Sequence, residues 1–267
     1  MRRIEAVIFD LAGTTVDHGS LAPVRAVTEV FAQHGVRISD EDARRDMGLF
    51  KKDHIRKILA LPHIELAWRM QRRQAPGESD VEMLFEEFAP LQMEVLEQYS
   101  DVIPGVSETA ARLRGRGIKI GATTGYTRPM LDVVLRHAAS QGYAPDLALC
   151  PDDMGGGRPH PWMCLRIALE FRLSSLDKAV KVGDTVSDIQ EGLNAGMWAV
   201  GVSRTGNEVG LSVDGLAALT EPERVRRVQR ACETLMNAGA HYVVESAKLL
   251  EPVLERIEER LVAGERP

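Results

Sequence analysis

Ala6-Val7-Ile8-Phe9-Asp10-Leu11-Ala12-Gly13-Thr14-Thr15 passes from four apolar residues directly into a carboxylate, a glycine and two hydroxyls. Four apolar residues in a row, without alternation, fit a strand buried on both faces, as in parallel sheets. Comparable runs recur at 118–122, 147–149, 179–182 and 198–202, and amphipathic stretches lie between most of them. This alternation predicts an α/β fold with a Rossmann-like parallel sheet.

One connection is out of proportion. Residues 21–99 carry helical periodicity, notably at 24–33, 53–61 and 81–97, and contain no comparable apolar run. A crossover of about 80 residues far exceeds what one βαβ unit requires. It is expected to be an inserted helical cap domain (21–99) over the strand ends, with a core domain made of 1–20 and 100–267. The core is expected to resume at Asp101-Val102-Ile103-Pro104-Gly105, where Pro104 and Gly105 mark a turn before a helix at 106–113. Residues 221–261 read as two helices around a short strand at 241–244.

Composition narrows the function classes. With 267 residues, 44% hydrophobic and 27% charged, the chain has the make-up of an ordinary globular protein. No apolar run approaches the roughly 18 residues of a membrane span, and the N-terminal Met1-Arg2-Arg3 is followed by an apolar stretch too short for a signal peptide. A net charge of -6 argues against a nucleic-acid surface. Three widely spaced cysteines, Cys150, Cys164 and Cys232, fit neither a disulfide framework nor a zinc cluster, and suggest buried thiols in a reducing, cytoplasmic setting.

Ligands of open parallel sheets bind beyond the carboxyl ends of the strands, so the residues following each apolar run are the candidate site. They are Asp10 to Thr15, then Thr123-Thr124-Gly125-Tyr126-Thr127-Arg128-Pro129, then Gly157-Arg158-Pro159, then Gly183-Asp184-Thr185-Val186-Ser187-Asp188. Singly, each could end a strand or cap a helix. Together they bring three carboxylates toward one point, where mutual repulsion would raise their pKa values unless a cation were present. Hard carboxylate oxygens suit Mg²⁺. Thr124, Gly125 and Arg158 are left to hold a phosphoryl group, and the helix begun by Arg128-Pro129 is expected to aim its N-terminus at the site.

In order and context these four motifs resemble the haloacid dehalogenase superfamily of phosphotransferases. That superfamily normally has a second aspartate two residues after the nucleophile, to protonate an ester leaving group; this chain has Ala12 there. The leaving group must then be one that does not need that proton. With Met47-Gly48-Leu49-Phe50-Lys51-Lys52-Asp53-His54 added, the resemblance from residue 10 to about 202 is to the phosphonoacetaldehyde hydrolases.

That resemblance implies Asp10 as the nucleophile and Lys51 as the amine that forms a Schiff base with the aldehyde. It also implies one Mg²⁺ held by Asp10, the backbone carbonyl of Ala12 and Asp184, with Asp188 acting through waters or neighbours, and a homodimer formed through the caps. Charge accounting makes the pairing of Ala12 with a cap lysine intelligible. Cleaving carbon from phosphorus expels a carbanion, and an iminium can accept its electrons as a neutral enamine.

For this an ordinary lysine, near 10.4, must be brought down to about 7.4 to be half neutral there. Lys52 competes for the role, but adjacent residues on a helix do not share a face. His54, one turn on, could shuttle a proton, Tyr126 could hydrogen-bond in the same space, and Met47 lies about a turn to the other side. Trp162 and Met163 read as core or interface.

Overall fold

The computed structural model describes residues 3–267, so Met1 and Arg2 of the N-terminal reading lie outside the described residues. Six strands, β1 (Ala6–Phe9), β2 (Lys119–Thr123), β3 (Leu147–Leu149), β4 (Ala179–Gly183), β5 (Trp198–Val202) and β6 (Tyr242–Val244), form one sheet in the order β3-β2-β1-β4-β5-β6. Every pairing is parallel, and Phe9 sits beside Ala122 on one side and Val182 on the other. The expected α/β class and all five apolar runs therefore appear as read.

The helices are α1 (Leu21–Gln33), α2 (Asp40–Arg44), α3 (Lys51–Leu59), α4 (Pro62–Arg72), α5 (Glu78–Leu96), α6 (Val106–Gly115), α7 (Arg128–Ser140), α8 (Trp162–Glu170), α9 (Val186–Asn194), α10 (Val213–Ala217), α11 (Glu221–Asn237) and α12 (Glu251–Val262). The first five occupy the long connection after β1, where α1 and α3 pack on α5. Two of them, α2 and α4, were not foreseen. Helix α2 is only five residues long and is set by a capping box in which Ser39 accepts from the Asp42 amide. Helix α4 starts on Pro62, whose fixed φ suits a first helical turn.

β1 is central because Val7, Ile8 and Phe9 are buried on both faces. The largest apolar cluster continues from Val7 and Phe9 through Leu11 into Phe31, Trp68 and Phe88 of the helical segment, so the helices close onto the sheet through a shared core. No helix of the described residues is long and apolar enough to cross a membrane. Cys150 and Cys164 are buried free thiols, whereas Cys232 on α11 is partly exposed, contrary to the expectation for all three. Met163 lies in the core, while Trp162 is 40% exposed and stacks on His160.

Candidate active site

β1 lies at the point where strand connections diverge to the two sides of the sheet, the usual ligand position in such folds. Asp10 leaves its end buried, with its amide donating to the Val182 carbonyl of β4. Asp184 follows β4. Its Oδ1 accepts from Thr14 Oγ1 (2.7 Å) and its Oδ2 from the Asn207 amide (2.8 Å).

Asp188 comes from the first turn of α9. Thr185 is the N-cap there, accepting from the Asp188 amide while the Asp188 side chain accepts from the Thr185 amide, so one capping box both starts the helix and aims a carboxylate. One oxygen of each of Asp10, Asp184 and Asp188 lies within 4.8 Å of the others.

The electrostatics report crowded negative charge. Burial raises the Asp10 carboxyl, and Asp188 beside it raises it further. Burial also pushes Asp184 well above the carboxylate range, with Asp10 and Asp188 adding to it. Against the cost of its own burial, Asp188 is held below that range by Arg158 and Lys181. Two raised carboxyls within a few ångströms of a third are what a divalent cation would relieve, and three hard oxygen donors suit Mg²⁺.

Arg158 is the hub. Its Nη2 donates to Asp10 Oδ1 (2.6 Å), the Thr123 carbonyl (2.6 Å) and Thr123 Oγ1 (2.9 Å). Its Nη1 lies 2.9 Å from Asp188 Oδ1, and its Nε donates to Glu191 Oε2 at 3.0 Å. Lys181, Glu191 and Asn207 were missed in the sequence. Lys181 stands inside a run read only as apolar, Glu191 lies three residues past the Asp188 motif on the same face of α9, and Asn207 belongs to a loop with no motif.

The helical segment meets this floor through residues 44–51. Lys51, at the first turn of α3, is 2% exposed; its Nζ lies 3.4 Å from Met47 Sδ and 5.8 Å from the centre of the Tyr126 ring. Burial pushes its amine down to about 8, aided by Arg158 and opposed by the carboxylates of Asp10 and Asp17. Lys52 turns the other way and pairs with Glu82.

Asp10, Ala12, Met47, Gly48, Lys51, Thr124, Gly125, Tyr126 and Arg158 line a common, narrow cavity. A side chain on Gly125 would strike the backbone of Gly48 and Leu49, and one on Gly48, whose φ is 87°, would strike Ser187 and Thr185.

Some expected residues lie elsewhere. His54 is buried on α3 but does not line the cavity; its Nε2 donates to the Arg45 carbonyl (2.9 Å), and burial pushes its pKa down to about 3, leaving it a neutral, tied ring. The N-terminus of α7 is not free for a phosphoryl group either. The Arg128 amide donates to Asp152 Oδ2 (2.7 Å), and the Arg128 side chain pairs with Asp153. Tyr126 is a buried phenol raised well above 10 by its burial, hence protonated.

The haloacid dehalogenase-like hydrolase family matches residues 4–196. A phosphonoacetaldehyde hydrolase of Bacillus cereus is 45% identical over 258 residues, covering 97% of this chain and 98% of its own. This chain is a member of the phosphonoacetaldehyde hydrolase family. A phosphonoacetaldehyde hydrolase-like protein from Oleispira antarctica superposes with a TM-score of 0.97 at 44% identity, over 99% of this chain and 96% of that one. A β-phosphoglucomutase of Clostridium difficile shares the fold alone, with a TM-score of 0.69 at 18% identity.

Proposed function

We propose that the chain hydrolyses the carbon–phosphorus bond of phosphonoacetaldehyde to acetaldehyde and inorganic phosphate, in the breakdown of 2-aminoethylphosphonate. The observation that carries this reading is the pairing, in one cavity, of a buried lysine whose amine is half neutral near pH 8 with a strand-end aspartate followed two residues later by alanine. A phosphate monoesterase of this fold would need an acid where Ala12 stands; a lysine imine removes that need. The 45% identity to named phosphonoacetaldehyde hydrolases supports the same substrate.

In this reading the neutral Lys51 amine adds to the aldehyde and, with one proton taken up, loses water to give an iminium. The Asp10 carboxylate then attacks phosphorus in line. The carbon–phosphorus electron pair moves into the iminium, giving a neutral enamine on Lys51 and an acyl phosphate on Asp10. Protonation of the enamine carbon and hydrolysis of the resulting iminium release acetaldehyde. Water cleaves the acyl phosphate and restores Asp10.

Arg158, Thr124 and the Gly125 amide would hold the phosphoryl oxygens, the guanidinium matching them two at a time. Asp10, the carbonyl of Ala12 and Asp184 would hold Mg²⁺, with Asp188 acting through waters. When bound, the ion neutralises charge on the transferring group as a Lewis acid. Met47 and Tyr126 pack around the amine and keep water from it; His54 supports α3.

The helical segment 21–99 is read as a cap over a core of 1–20 and 100–267. A cytoplasmic homodimer through the caps completes the reading, supported by the free thiols and by Leu66 and Met70, one turn apart on α4 and 60% and 76% exposed. Light scattering should give twice the chain mass, and Leu66→Glu should halve it.

The deciding experiment measures phosphate release from phosphonoacetaldehyde with Mg²⁺, beside Lys51→Arg and a phosphate monoester. Lys51→Arg should lower turnover by roughly 10³-fold or more, as losing one member of a covalent device does. It should also abolish the borohydride-trapped adduct seen in the parent. Faster turnover of the monoester, with Lys51→Arg still active, would instead mark an ordinary phosphatase.

A further inference from the structure

Beneath Arg158 lies a second layer of charge that the chemistry above does not use. Lys181 stands in the middle of β4, flanked by Val180 and Val182, and is fully buried. Glu191 of α9 is also fully buried. Lys181 Nζ lies 2.9 Å from Asp188 Oδ1 and 3.3 Å from Glu191 Oε2, and it donates to Thr123 Oγ1 at 2.9 Å. Thr123 Oγ1 in turn donates to Glu191 Oε2 at 2.9 Å, the same oxygen that accepts Arg158 Nε.

Room for the lysine stem is provided by the helix above it, since a side chain on Gly192 would collide with Lys181 Cβ. A central strand of a parallel sheet is ordinarily apolar, and taking two ions out of water costs several kcal/mol each before pairing. Apolar residues of similar volume would often be as stable or more so.

We propose that Glu191 and Lys181 are positioning residues that fix the guanidinium plane of Arg158 for phosphoryl transfer. This rests on the reading of Arg158 as the phosphoryl clamp. The guanidinium is a rigid fork whose donors lie in one plane. Glu191 takes Nε and Thr123 takes Nη2, which also donates to Asp10, while Nη1 lies against Asp188 and the Gly48 carbonyl (3.5 Å), so the plane is held on the Glu191 and Thr123 side and turned with its Nη2 toward Asp10. Lys181 shares both Glu191 and Asp188 with Arg158, so neither carboxylate draws the guanidinium wholly to itself. Neither Lys181 nor Glu191 lines the cavity, where Lys51 lies against Met47 and Tyr126.

The test uses the full chain with Mg²⁺ and orthovanadate, an oxyanion that mimics five-coordinate phosphorus, with affinity read by calorimetry. Borohydride trapping of Lys51 with phosphonoacetaldehyde serves as the internal control. Arg158→Met sets the scale of a lost clamp. Glu191→Ala is expected to weaken vanadate about 10- to 100-fold, the range for a hydrogen bond to a charged group, while trapping of Lys51 is unchanged.

The neutral pair Lys181→Met with Glu191→Gln keeps an acceptor for Arg158 Nε and leaves no unpaired charge. It should recover vanadate affinity to within about tenfold of the parent, and it serves if Glu191→Ala does not fold. If Arg158→Met weakens vanadate but Glu191→Ala does not, if the neutral pair weakens it as much as Arg158→Met does, or if trapping falls in step with affinity, the positioning role is overturned. If Arg158→Met itself leaves vanadate unaffected, the clamp reading beneath it fails.

Discussion

Lys51 shows how one side chain's chemistry is set by its neighbours. Burial, the larger influence, disfavours the ammonium, and the carboxylate of Asp10 partly restores it, leaving the amine near 8. The two influences have opposite signs and can be separated. Imine formation needs the neutral amine, so the rate of borohydride trapping should rise with pH through about 8. Asp10→Asn removes a negative neighbour, and the ammonium loses that support. The midpoint of the trapping profile should therefore move below about 8, although the variant cannot form the acyl phosphate. An unmoved midpoint would mean that Asp10 and Lys51 do not share the cavity in solution.

The elements that make this burial possible are the loop between α2 and α3 and the core loops it meets. Ser187 Oγ donates to the Met47 carbonyl (3.0 Å), and Arg44 Nη1 donates to the Gly19 carbonyl (2.8 Å) while its Nη2 donates to that of Gly210 (3.0 Å). The Asn207 side chain donates to the Arg44 carbonyl (3.2 Å) while its amide holds Asp184, so the helical segment is tied directly to a site carboxylate. Gly48 is the tight point. Its positive φ costs a side chain roughly 1–2 kcal/mol, and the added carbon would push against Thr185 and Ser187. Gly48→Ala should hold the segment away from the core, raise KM, and expose Lys51. With burial relieved, the trapping midpoint should climb from about 8 toward the ordinary lysine value near 10.4, opposite in direction to Asp10→Asn. A lower KM with the midpoint unchanged would show that this contact does not govern closure.

Across the whole molecule, the sheet was legible because short apolar runs ending in Asp10, Thr123 and Gly183 carry the strand and the site in the same few residues. Helices α2 and α4 were not, since their starts depend on local capping around Ser39 and on Pro62 rather than on a long apolar period. Lys181 and Glu191 escaped for a different reason: partners 58 and 68 residues from Thr123 meet only in three dimensions. Their presence completes the charge count. Asp10, Asp184, Asp188 and Glu191 face Arg158 and Lys181, and Lys51 and Asp17 beside them offset each other, so when all are ionised negative groups outnumber positive ones by two in a buried volume. An excess of two negative charges is a cost to the folded chain that one divalent ion cancels. Mg²⁺ should therefore stabilise the fold as well as serve the reaction. At 100 times its Kd the ion adds about 2.7 kcal/mol by mass action, a rise in Tm of roughly 5–10 °C for a chain of this size, and EDTA should reverse it. Asp184→Asn lowers the negative charge and removes a ligand, so its metal-free Tm should exceed that of the parent while its response to Mg²⁺ disappears. A parent whose Tm ignores Mg²⁺, or an Asp184→Asn protein that still responds, would place the ion elsewhere.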